Sequence, residues 1–291
     1  MSIRLDVYVS PYKPIPNALV PFWDDTKQAT WPASSSSLLS GDKEAVLIDA
    51  LITTEEATRL VDWIRAKDRA LTTVYITHGH GDHFFGLNTV LAAFPQAKAV
   101  ALPEVVPFAQ EAATTHKRGF EAWFPNQFAE NPMVPEPMRG NVIDLEGHEI
   151  RAINVGQSDT APSTVVHVPD LKAVVGGDVA YNGIHCWLAN TDHVKREAWL
   201  ASLDTIASLN PKLLVAGHKD PKTRDDDPQA IIDATRGYIR DFDRAVTECA
   251  TPQELIDTMM RKHGERGNPA TLCIAANGVK DQLGKSHVST T

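Results

Sequence analysis

Cysteine is scarce in this sequence. Its 291 residues hold three, Cys186, Cys249 and Cys273, odd in number and widely spaced. Such a set makes no disulfide framework, and no C-x-x-C pair is present. Each cysteine reads as a small buried apolar residue, and a reducing compartment is the simplest setting. Long apolar runs are missing as well: nothing approaches the roughly 18 residues of a membrane-crossing helix. The opening residues, MSIRLDVYVSPYKP, contain no apolar core and no small-residue cleavage site. No secretory signal is therefore expected, and the cytoplasm is the expected location. Positive charge is the third shortage. Twenty-eight Lys and Arg against 37 Asp and Glu leave a net charge of −9, with no basic run. A nucleic-acid surface needs clustered cations, so neither nucleic acid nor membrane is an expected partner.

What is present alternates between strand and helix patterns. IRLDVYV alternates like an edge strand, and SSSSLLSGDKEAVLIDA reads as two strands around Gly41-Asp42. Thr53 and Glu56 form a capping box ahead of Ala57, Leu60, Val61 and Ile64 at helical spacing. LTTVYIT is a buried strand, followed by a helix, a short strand and a helix up to His116. Residues 119–141 mix proline, asparagine and aromatics without clear period and read as a long loop or lid. Three further strands lead into the helix HVKREAWLASLDTIASLN and the strand KLLVAGH. Two C-terminal helices are expected over 228–263, the second opening with Thr251 and Glu254 as a capping box. This order predicts a layered α/β fold with helices outside. No linker divides the chain, so a single domain over 1–291 is expected, its core at 36–220.

The densest chemistry lies in YITHGHGDHFFG, where His78, His80, Asp82 and His83 fall within six residues. Imidazole and carboxylate are ligands for zinc, which takes about four donors at roughly 2.0–2.2 Å. A turn after a buried strand can present donors in two directions, so His78 and His80 could serve one ion and Asp82 and His83 another. The missing donors should stand at the ends of other strands. Asp178 follows the strand AVVGG, and His218 ends KLLVAGH. Asp178 suits a bridging role, because its carboxylate can face both ions.

H-x-H-x-D-H, then a strand-end Asp, then a strand-terminal His resembles the metallo-β-lactamase-fold superfamily over about residues 36–220. The resemblance implies a four-layer αβ/βα sandwich of two mixed sheets with helices outside and the metals at one edge. It implies that Asp49, ending AVLID, orients metal ligands. One position departs from the pattern: Gln157 in INVGQSDTAPS stands where the superfamily places a histidine. An amide oxygen is a weaker ligand than imidazole. The ion at His78, His80 and Gln157 is therefore expected to be the more loosely held, with Asp159 an alternative donor and mid-strand His167 a poorer one.

With two zinc ions, a metal-bound hydroxide would attack a carbonyl, and no Ser or Cys nucleophile is needed. Asp82 could shuttle a proton, and Tyr181 or His185 could donate to the oxyanion or leaving group. Trp123, Phe124 and Phe128, with Trp23 and Trp31, could wall a pocket for an apolar or aromatic small molecule. The expected function is metal-dependent hydrolysis of a lactone, lactam or ester. A thioesterase resembling glyoxalase II and a non-catalytic metal-binding protein are the alternatives.

Overall fold

A computed structural model describes residues 2–288, with side chains through 281. Six strands form the first sheet, in the order Arg4–Val9, Ser35–Ser40, Glu44–Ile48, Ala70–Tyr75, Lys98–Ala101, Glu136–Pro137. The first two pairings are antiparallel and the other three parallel. Five strands form the second sheet, in the order Leu213–Val215, Ala173–Val175, Ser163–Val168, His148–Gly156, Val142–Leu145. Its first pair is parallel and the rest antiparallel. Both sheets are thus mixed, and residues from both enter one buried apolar cluster, Leu38, Ile48 and Val74 among them from one side and Val165, Val174 and Leu214 from the other. Helices lie outside. Thr54–Arg65 packs with Leu87–Ala93, and His193–Ser208 packs on the strand His148–Gly156 and on the helix Pro228–Glu248. This is the expected four-layer sandwich of two mixed sheets.

Register brings the chemistry to one edge. Ile48 pairs with Tyr75, so Asp49 and Thr77 leave the first sheet side by side. Val175 pairs with Val215, so Asp178 and His218 emerge together from the second. The Thr164 N–H and hydroxyl both reach the Thr77 carbonyl, at 3.1 and 2.6 Å, and tie the two sheets together beside that edge. Parallel strands present their C-terminal ends on one side, which is why motifs about a hundred residues apart converge there.

Two elements differ from the sequence expectations. The helix Val106–Trp123 runs through the first part of the stretch expected as loop or lid. Thr114, Thr115 and Gly119 are weak helix formers, but Phe120 and Trp123 both pack against Trp31, and tertiary contact overrides propensity. A third C-terminal helix, Pro269–Val288, follows the two expected ones, Pro228–Glu248 and Pro252–His263. Its buried Leu272, Ala275, Ala276 and Val279 are interspersed with partly buried positions, and no sharp amphipathic stripe announces it. Cys186 and Cys273 are buried, Cys249 is half-buried, and all three are free thiols. Among the described residues no helix is long and apolar enough to cross a membrane.

Candidate metal centre

The turn after Tyr75 is buried, including His78, Asp82 and His83. Gly86 makes room for it: a Cβ there would lie 2.0 Å from the Ala50 carbonyl oxygen. Gly217 does the same for the second sheet, since its Cβ would fall 2.4 Å from Asp178 Oδ1.

Two clusters of donors form at the sheet edge. His78, His80, Asp159 and Asp178 make one, and Asp82, His83 and His218 the other; within each, one donor atom per residue lies within 4.8 Å of all the rest. Asp178 faces both. Its Oδ1 lies 3.1 Å from His83 Nε2, and its Oδ2 lies 3.3 Å from His218 Nε2 and 4.0 Å from His78 Nε2. Asp82 Oδ2 is 3.3 Å from His218 Nε2, and Asp159 Oδ2 is 2.8 Å from His80 Nδ1.

Three of the four imidazoles are anchored by the ring nitrogen that faces away. His83 Nδ1–H donates to Asp49 Oδ2 at 2.9 Å. His78 Nδ1 meets the Thr77 hydroxyl at 3.0 Å, and that hydroxyl donates to Asp49 at 2.9 Å. His218 Nδ1 reaches the Ala33 carbonyl at 3.2 Å. The other nitrogen is thereby aimed inward, as metal-binding histidines require. His78 Nε2, His83 Nε2 and Asp178 Oδ1 are buried without a hydrogen-bond partner, although His83 and Asp178 lie close. Orphaned buried donors are costly, and several converging on one point fit a cation. Imidazole and carboxylate are ligands for zinc and for other divalent metals.

The electrostatics agree. Burial opposes charge on His83 and His218, yet Asp178, helped by Asp49 at His83 and by Asp82 at His218, raises both; His218 reaches about 10. His78 is pushed down to about 3 by burial and by His83, although Asp178 and Asp159 act to raise it. Burial acts to raise Asp82 and Asp178, but the neighbouring His218 and His83 hold both below the ordinary carboxylate range.

The expected site residues are distributed as follows. His78, His80, Asp82, His83, Asp178 and His218 converge. Gln157 is turned aside: its amide nitrogen donates to the Ser158 carbonyl at 2.8 Å, and it does not line the cavity. Asp159 stands in the cluster in its place, with Ser158 Oγ donating to its Oδ1 at 2.8 Å. His167 remains in mid-strand, paired across from Arg151. Tyr181 lines the cavity, and its hydroxyl donates to Asp178 Oδ2 at 2.9 Å while its ring stacks on His218. His185 lies elsewhere. It is fully buried against the Tyr238 hydroxyl, at 2.9 Å, and is not part of the cavity wall. Its backbone N–H bonds the Gly267 carbonyl, which turns the segment toward the C-terminal helices.

A cavity of about 290 Å³ opens over the two clusters. Trp31 and Trp123 line it as expected, whereas Phe124 is core and Phe128 packs on Phe85 and Phe120. Trp23 lies outside, its indole N–H donating to the Lys27 carbonyl. Sequence reasoning missed Phe120, Trp187, Asn190 and Thr271 on the wall. Trp187 sits in the segment after Asp178 where a site residue was sought, two residues from His185.

Residues 29–218 match the family model described as the metallo-beta-lactamase superfamily. No curated protein matches the sequence. Among solved structures, a metallo-beta-lactamase family protein of Thermus thermophilus aligns with a TM-score of 0.64 at 16% identity, covering 97% of this chain and 94% of that one. A metallo-beta-lactamase from Pontibacter korlensis aligns with a TM-score of 0.58 at 17% identity, covering 82% and 99%. Fold, paired donor clusters and the family match over most of the chain agree: the chain belongs to the metallo-β-lactamase superfamily.

Proposed function

We propose that the protein is a zinc-dependent hydrolase of small carbonyl compounds: lactones, lactams or esters. The observation that carries this reading is the pair of donor clusters sharing Asp178 beneath a cavity large enough for a small substrate. His78, His80 and Asp159 would hold one ion and Asp82, His83 and His218 the other, with Asp178 between them. When bound, the ions supply an acidified water and an electrophile for the carbonyl oxygen. The Tyr181 hydroxyl fixes the Asp178 carboxylate between the two clusters. That hydroxyl is committed to the carboxylate, so Tyr181 serves as a positioning residue. Asp82 lines the cavity and is placed to take a proton from the attacking water and return it to the leaving group. His185 is walled off from substrate and has no part in the reaction.

The test is to strip the protein with chelator, reload it with zinc, and assay a panel of lactones, lactams, aryl esters and thioesters. Two zinc per chain and hydrolysis of at least one oxygen or nitrogen acyl substrate are expected. Full loading without hydrolysis of any member would leave a metal-binding protein and end the hydrolase reading.

A further inference from the structure

The cavity wall has a one-sided chemistry. Trp31, Phe120, Trp123 and Trp187 all line it. Trp31 stands among the others, its ring centroid 5.4 Å from Phe120, 4.7 Å from Trp123 and 5.6 Å from Trp187. Outside the donor clusters, the polar wall residues are Thr115, His116, Asn190 and Thr271 beside Tyr181. Among the described residues, no lysine or arginine lines the cavity.

Arg118, beside Gly119, is exposed and does not line the cavity, and other cations near in sequence are committed elsewhere. Lys219 follows His218 but is buried and paired with Asp225 at 2.5 Å. Lys117 follows His116 but donates to the Glu130 carbonyl at 3.0 Å. Arg266 spends its guanidinium on the Ile184 and Ala234 carbonyls, at 2.9 and 2.7 Å. Exposed Lys195 holds the Asn190 carbonyl at 3.0 Å.

An anionic group resting on this wall, away from the donor clusters, loses hydration and finds no lysine or arginine to replace it. It also meets an apolar aromatic wall that offers few polar partners in exchange. A flat uncharged ring loses little hydration and gains apolar burial and ring contacts. We propose that the cavity selects substrates whose acyl or leaving group is a flat, uncharged apolar ring, and discriminates against those in which the group that meets this wall carries a carboxylate. This rests on the hydrolase reading above and narrows it.

Two measurements on zinc-loaded protein at pH 8, where an ordinary imidazole is neutral, test the proposal. The first is binding of 2-naphthohydroxamic acid against its 6-carboxy derivative by calorimetry, the metal-binding group being the same in both so that only the wall meets the added carboxylate. The second is kcat/KM for 2-naphthyl acetate against 6-carboxy-2-naphthyl acetate. The uncharged member should win by about tenfold or more in each. Trp187→Ala should weaken the uncharged ligand, and Asn190→Lys, at an exposed wall position, should narrow the gap by improving the anionic one. Equal or tighter binding of the carboxylate, or an unchanged gap in Asn190→Lys, overturns the proposal. The two readings fail separately. If neither ester is hydrolysed while the binding preference holds, the hydrolase reading fails and the recognition stands. If both esters are hydrolysed equally well, the recognition fails and the hydrolase stands.

Discussion

Asp49 Oδ2 accepts the His83 Nδ1–H at 2.9 Å, and the same carboxylate accepts the Thr77 hydroxyl that meets His78 Nδ1. A single side chain therefore stands behind one histidine of each cluster. Its φ of +62° is a left-handed conformation that few non-glycine residues adopt. The strand end is bent there so that the carboxylate turns back beneath the turn that carries the histidines.

Asp49→Asn removes the charge behind His83 and His78. Outer partners of metal ligands are worth about 10- to 100-fold in affinity. Zinc affinity should fall in that range at both clusters together, measured by competition with a chromophoric chelator. A loss at one cluster alone would contradict the shared role.

Asp159 and Gln157 can be told apart directly. Asp159→Ala should bring zinc content from two per chain to one, measured by elemental analysis after dialysis. Gln157→Ala should keep both ions, because its amide is bonded to the Ser158 carbonyl. The reverse result would return the ligand role to Gln157.

Loading should release protons. His218 is raised to about 10, and His83 is raised as well, so both hold protons at neutral pH that zinc must displace. Zinc affinity should accordingly climb as pH rises from 6 toward 9. Calorimetry in buffers of different ionisation enthalpy should count protons leaving. The sign for stability of the chelated protein is the opposite. A raised histidine contributes fully below its unfolded value near 6.5, and that contribution is lost as pH climbs through about 10.

Gly86→Ala tests packing rather than chemistry. The added Cβ would meet the Ala50 carbonyl oxygen at 2.0 Å, backbone that cannot swing away as a side chain does. Overpacking of this kind costs about 1–3 kcal/mol or more. A lower melting temperature is expected, with zinc affinity reduced because the His83 carbonyl bonds the neighbouring Ala50 N–H.

Much of this was legible in the sequence, and the reasons differ by element. His78, His80, Asp82 and His83 share one turn, so their meeting is local. Asp178 and His218 could be found because each ends an apolar run, and strand ends gather at a sheet edge. The role of Asp49 came from the resemblance to the superfamily. Gln157 misled because its position matches the superfamily's histidine, while the backbone there turns Asp159 inward instead. His185 misled because proximity in sequence to Asp178 says nothing about which side of a segment faces the cavity. The aromatic wall was half legible: Trp31 and Trp123 were candidates. Phe120 and Trp187 needed the helix Val106–Trp123 and the turn after Tyr181 to be placed first. Thr271 belongs to a helix with no strong pattern of its own.

Thr271 is held by Asn268, which donates to its hydroxyl at 2.6 Å and accepts from Thr30 near the start of the chain. The wall is thus assembled from segments 238 residues apart in sequence. During synthesis every donor of the two clusters has emerged once residue 218 is made, more than fifty residues before Thr271. A nascent chain at that stage has all the groups for chemistry but lacks part of the surface that decides what enters. Chemistry and selectivity are thus completed at different points as the chain is made.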